Sequence, residues 1–199
     1  MSSLAREIEV FERDLAARPP RIAAHSDMPF AIFRYVPGEE YALRNALRLL
    51  AIRLEQEHGR RVTFISLSRV VWDTVRRQGG TEYLYKTEAT RGFAAAQQHA
   101  NRLLSSPDFE PIADTLAALL QPLDPGRDVV FLVRAGGFAP FIYRCSVLLE
   151  GLHRRIMVPI ILFYPGSAGQ GTDLRFYDIP VQDAVGVYNY RVSVYGART

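Results

Sequence analysis

Cysteine and lysine are nearly absent from this chain: one of each occurs among 199 residues, Cys145 and Lys86. A lone cysteine excludes an internal disulfide framework and argues against a cysteine-ligated zinc site. With one lysine, the 24 basic residues are almost all arginine, and they nearly balance 21 acids, for a formal net charge of +3. The arginines are spread along the chain rather than gathered in one tract, which fits a compositional bias better than a nucleic-acid-binding patch. Long apolar runs are missing too. The longest, such as "VPIILFY", are far shorter than a membrane span, and "MSSLAREIEVFERDLAARPP" is charged and amphipathic with no signal-like core. These features predict a cytoplasmic, soluble protein without membrane attachment.

The motifs of common catalytic classes are absent as well. "YVPGEEYALR" occupies the place of a phosphate loop but has one glycine, no Lys-Ser/Thr pair, and Glu39 and Glu40 where phosphates would sit. "AGGFAP" lacks the dinucleotide-binding glycine spacing, and no GxSxG elbow occurs. His25, His58, His99 and His153 form no metal-ligand spacing. Cys145 shares a helical stripe with Ile142, Leu148, Leu149 and Leu152, the setting of an inert buried thiol. The acid pairs Asp124/Asp128 and Asp173/Asp178 sit around turns, which turn chemistry explains. The residues therefore supply no catalytic, cofactor or metal set.

What is present is alternation. Leu4, Ile8, Phe11 and Leu15 lie on one helical stripe that Ser3 can cap and Pro19-Pro20 stop. Strands are expected at Phe30–Val36, Arg61–Leu67, "VVFLV" and "VPIILFY", with short strands in "LRFYDI" and "YNYRVSVY". A helix with Leu43, Ala46, Leu47, Leu50 and Leu54 on one face follows the first strand. Its start is favoured by Glu39 and Glu40, Glu40 can pair with Arg44, and Gly59 ends it. Ser68 is the expected cap of the next helix, and Gly79-Gly80 its stop. Residues 81–121 read as a helical insertion with stripes Phe93/Ala96/Ala100/Leu103/Leu104 and Phe109/Ile112/Leu116/Leu119/Leu120. Continuously apolar strands alternating with helices predict one α/β domain over residues 1–199, with the helix of residues 1–20 at its start. Its central sheet should be mostly parallel, with helices on both faces, as in a degenerate nucleotide binder. Right-handed crossovers then gather "RYVPGEE", "RAGGFAP" and "YPGSAGQG" at the carboxyl edge of the sheet, where α/β folds bind ligands.

"DVVFLVRAGGFAPFIYRCSVLLEGL", "VPIILFYPG" and "YNYRVSVY", in that order, resemble the BrxB family, accessory proteins of bacterial phage-exclusion (BREX) defence operons. The upstream "FAIFRYVPGEEYALR" fits the same pattern, and the likeness runs from about Phe30 to Tyr195; "YNYRVSVY" departs from the family's usual last element. The resemblance implies a non-catalytic structural component of a defence complex. Its partners would be an alkaline-phosphatase-superfamily protein, a DNA methyltransferase and a large ATPase, with DNA met indirectly through them. "RAGGFAP" then reads as a strand-to-helix turn with Pro140 in the first helical turn, and the edge around it as a partner-docking surface. Arg134, Arg144, Tyr164 and Arg191 are the expected contact residues, because arginine and tyrosine are enriched at interface hot spots. The alternative is an α/β protein that binds nucleic acid through arginine beside Phe138, Phe141, Tyr143, Tyr188 and Tyr190, or a metal-dependent nuclease with acids at strand ends.

Overall fold

The computed structural model describes residues 3–22, 29–139, 142–168, 174–177 and 192–196. Two compact units emerge. The first comprises residues 1–65, 123–133 and 157–199, the second 66–122 and 134–156.

The first unit holds the sheet. Its strands are β1 (Phe30–Tyr35), β2 (Arg61–Ser66), β3 (Asp128–Val133), β4 (Ile160–Ala168), β5 (Leu174–Phe176) and β6 (Ser193–Tyr195). Five of them form an all-parallel path in the order β2-β3-β4-β1-β6, and β5 turns back antiparallel onto the end of β4. The register sets Phe30 opposite Ile160 and Tyr35 opposite Pro165, so β1 ends three residues before β4 does. All six residues of β1 are buried. β2 lies at an edge, none of its residues is buried, and Phe64 is exposed, so continuous burial fits the central strands and not this one.

Two helices of the first unit share the sheet's core, α1 (Ser3–Ala16) and α2 (Glu40–His58). The expected stripes are the buried ones: Leu4, Ile8, Phe11 and Leu15 from α1, and Leu43, Leu47, Leu50 and Leu54 from α2. They meet Ala31, Phe33 and Tyr35 of β1, Phe131 of β3 and Phe163 of β4. Phe11 stands edge-on to Phe33, Phe163 and Tyr195 at centroid distances of 5.2, 6.2 and 5.1 Å, arrangements each worth about 0.5–1.5 kcal/mol beyond burial. Gly59 caps α2 in the left-handed region, φ 64°, as its sequence position requires.

The second unit is helical: α3 (Leu67–Arg77), α4 (Gly80–Arg91), α5 (Phe93–Ser105), α6 (Ile112–Leu120) and α7 (Cys145–Leu152), with a 3-10 turn at Ala135–Phe138. The cap of α3 is Ser66, whose hydroxyl accepts from the Arg69 N–H at 3.4 Å, and not Ser68. β2 runs directly into the helix without a loop, which moves the boundary one residue beyond the strand's end. Ala96, Ala100, Leu103 and Leu104 are buried as expected, but Phe93, at the first position of α5, is exposed. Leu119 is exposed in the same way, whereas Ile112, Leu116 and Leu120 are buried. Ile142 lies in the turn before α7, so the stripe of that helix begins at Cys145.

Candidate functional site

In the first unit the end of β1 and the β4 residues beside it carry an aromatic and charged group. The Tyr35 hydroxyl donates to Glu40, and Glu40 accepts from Arg44 Nε at 2.9 Å. Arg44 also lies over the Tyr41 ring, 5.4 Å from its centroid. The position a phosphate loop would take is thus filled by a carboxylate already held by a phenol and a guanidinium. Burial, and then the hydrogen bond and charge of Glu40, push the Tyr35 phenol well above its ordinary range. Tyr177 is raised by burial and by Glu40. Both phenols therefore stay protonated, and Tyr35 acts as a donor. Tyr164 is buried with its ring 5.3 Å from Phe176, which in turn meets Tyr177 edge-on at 5.0 Å. A ring so covered presents little surface to a partner, contrary to the role expected for Tyr164.

In the second unit Arg134 directly follows β3 and adopts the left-handed region, φ 59° and ψ 45°. For a residue with a Cβ this conformation costs roughly 1–2 kcal/mol. Its carbonyl is fixed from two sides, by the Ser68 hydroxyl at 2.9 Å and the Gly137 N–H at 3.1 Å. Gly137 lies flat against α3: a Cβ there would stand 2.5 Å from Ser68 Cα. The glycine pair thus serves a turn after the strand, as expected, here a 3-10 turn clamped to α3, and the next helix, α7, starts only at Cys145. Pro140 and Phe141 lie outside the described residues. The Arg134 and Arg144 side chains are both exposed, and neither has an ion-pair partner among the described residues.

Beside Arg134 the second unit opens a cleft of about 720 Å³. Arg69, Trp72 and Arg76 of α3, Thr81 and Tyr85 of α4, and Arg134 line it together with Ser66, Ser68 and Asp73. Apart from Arg134, none of these residues was singled out by the sequence as a binding residue. The available signal was the exposed spacing Arg69, Trp72, Arg76 on a helix whose other face is Val70, Val71, Thr74 and Val75.

The remaining expected residues divide plainly. Arg191, Tyr188, Tyr190, Asp173 and Asp178 lie outside the described residues. Cys145 is buried, and burial pushes its thiol up to about 12. Asp128 is a fully buried acid rather than a turn residue at the surface, and is held by Arg61 through two bonds of 2.6 and 2.7 Å. Among the described residues no three acids, histidines or cysteines come close enough to hold a metal ion, and no helix is long and apolar enough to cross a membrane.

Comparison with known proteins supplies the remaining finding. A family model described as "BREX protein BrxB" matches residues 63–193. A Bacillus cereus (strain H3081.97) protein of that same description is 26% identical over 146 residues, covering 71% of this chain and 72% of the relative. No solved structure matches the chain.

Proposed function

This chain belongs to the BrxB family of BREX defence proteins, and from that membership we propose that it serves the system as a non-catalytic binding component that holds another BREX protein. The observation that supports this most is the segment after β3. Arg134 is kept in a strained backbone conformation by Ser68 and Gly137, and its exposed guanidinium has no ion-pair partner among the described residues. Backbone strain held by a clamp is found chiefly at functional sites, and a backbone already fixed there has no ordering cost of its own at binding. Arg144, exposed at the N-cap of α7 and also without an ion-pair partner among the described residues, is the second arginine of the proposed contact. The partners implied by family membership are the phosphatase-superfamily protein, the methyltransferase and the large ATPase of the system. Tyr164 leaves this surface, because it is buried.

The test is co-purification of tagged chain with each of those partners, comparing the natural protein with Arg134→Ala and Arg144→Ala. Both substitutions remove exposed side chains, so melting temperature should stay within a few degrees of the parent. At least one partner should be lost or recovered at roughly tenfold lower yield, the effect of removing an interface anchor of about 1.4 kcal/mol. Folded variants that retain every partner at full yield would remove these arginines from the interface.

A further inference from the structure

The cleft in the second unit has features that protein docking alone does not require. Arg69, Trp72 and Arg76 stand at i, i+3 and i+7 on α3, so they share a face and their backbone origins lie roughly 10 Å apart from first to last. Trp72 is 49% exposed, and Tyr85 across the cleft on α4 is 65% exposed. Large aromatics with no covering partner among the described residues, set beside arginines, are a stacking platform in an electrostatic frame. Arg69 and Arg76 reach Asp73 only at 3.4 and 3.8 Å, and both guanidiniums are mostly exposed. Such pairs are weak and exchange readily for a better anion. The surrounding charge agrees. The second unit carries ten arginines and lysines against seven acids, so the chain's formal +3 resides there entirely.

We propose that this cleft binds a nucleotide unit, with the phosphate on the guanidiniums of Arg69 and Arg76 and the base against the rings of Trp72 and Tyr85. Guanidinium forks match phosphate oxygens in pairs. An acidic peptide would satisfy the arginines as well, but it would leave two exposed rings on α3 and α4 without a planar partner. A nucleotide brings the anion and the plane in one ligand. The same chemistry can arrive as a free nucleotide or as a residue of a single strand, and the two separate experimentally.

Trp72 is the only tryptophan in the chain, so its fluorescence reports on this cleft directly. The full-length chain is titrated with a mononucleotide, with a short oligothymidylate, with inorganic phosphate and with polyglutamate. Saturable quenching by nucleotide or oligonucleotide is expected, with little response to phosphate or polyglutamate. Quenching by the mononucleotide identifies a free-nucleotide site. Quenching by the oligonucleotide alone, falling steeply with salt, identifies a strand. The Arg69→Gln/Arg76→Gln variant should bind roughly tenfold or more weakly with an unchanged melting temperature, since both side chains are exposed. Asp73→Asn, which removes the one carboxylate lining the cleft among the described residues, should bind more tightly. Failure of both nucleic-acid ligands to quench would overturn the proposal, as would equal quenching by polyglutamate or phosphate, or affinity unmoved in both variants. Because Arg134 is untouched, this experiment can fail while partner docking through Arg134 and Arg144 stands.

Discussion

Asp128 shows how much one side chain can hold. It opens β3, is fully buried, and accepts two bonds from Arg61 and one from the Asp124 N–H at 2.8 Å. The Arg61 hydrogen bonds hold its carboxyl below the usual aspartate range against the opposing effect of burial. A folded-state pKa below the unfolded one contributes stability that is present above the unfolded value, near 4, and is lost as pH falls through the folded value. Asp128→Asn should therefore lower stability at neutral pH by about 1–3 kcal/mol, the cost of leaving buried donors poorly matched. It should also flatten the loss of stability below about pH 4, checked by urea midpoints across that range. A mutant that keeps the parent's acid slope would assign the slope to other carboxylates. Cys145 yields a simpler expectation. With its thiol buried and raised to about 12, it should resist maleimide at pH 8 in the native protein and react fully in denaturant. Fast labelling of folded protein would contradict its burial.

At the scale of elements, two glycines decide how segments approach one another. Gly137 lets the turn after β3 rest on α3, and a Cβ there would meet Ser68 backbone at 2.5 Å. Gly137→Ala should destabilise by about 1–3 kcal/mol, the usual penalty of forcing extra volume into a packed contact. It should also shift Arg134, the residue whose carbonyl both Ser68 and the Gly137 N–H hold. Gly196 follows β6 with φ 102°, and a Cβ there would lie 2.0 Å from the Arg34 carbonyl oxygen. Gly196→Ala faces both a clash with backbone and an unfavourable φ, so its denaturation midpoint should fall further than that of Gly137→Ala. The reverse order would mean that the end of β6 can move aside at little cost.

For the whole molecule, chain connectivity matters most. The second unit is made of two segments, 66–122 and 134–156, and the chain enters and leaves each of them from the first unit. Neither unit is a continuous stretch, so neither can form with only one run of chain. The expected consequence is a single unfolding transition. Trp72 fluorescence reports α3 in the second unit, and far-UV circular dichroism reports all helices, so the two denaturation curves should superimpose. Separate midpoints would show that the units unfold independently.

The alternation of apolar strands with striped helices was legible without the structure, because parallel strands buried on both faces read as continuous apolar runs and α1 and α2 keep strict helical spacing. Family membership was legible too, from the order of short segments around the third and fourth strands. The Glu40–Arg44 pair followed from its i,i+4 spacing alone. Other features depend on partners distant in sequence. Asp128 looks like a turn residue until Arg61 is brought beside it, and Tyr164 looks available until Phe176 packs on it. Ser68 looks like a cap, yet its hydroxyl is directed to the Arg134 carbonyl, 66 positions away. The cleft was hidden for the same reason. Arg69, Trp72 and Arg76 form a stripe that local spacing can reveal, but only the packing of the second unit sets Tyr85 and Arg134 beside it. Local periodicity specifies which face of an element is apolar, whereas a binding surface is defined by what long-range packing leaves uncovered.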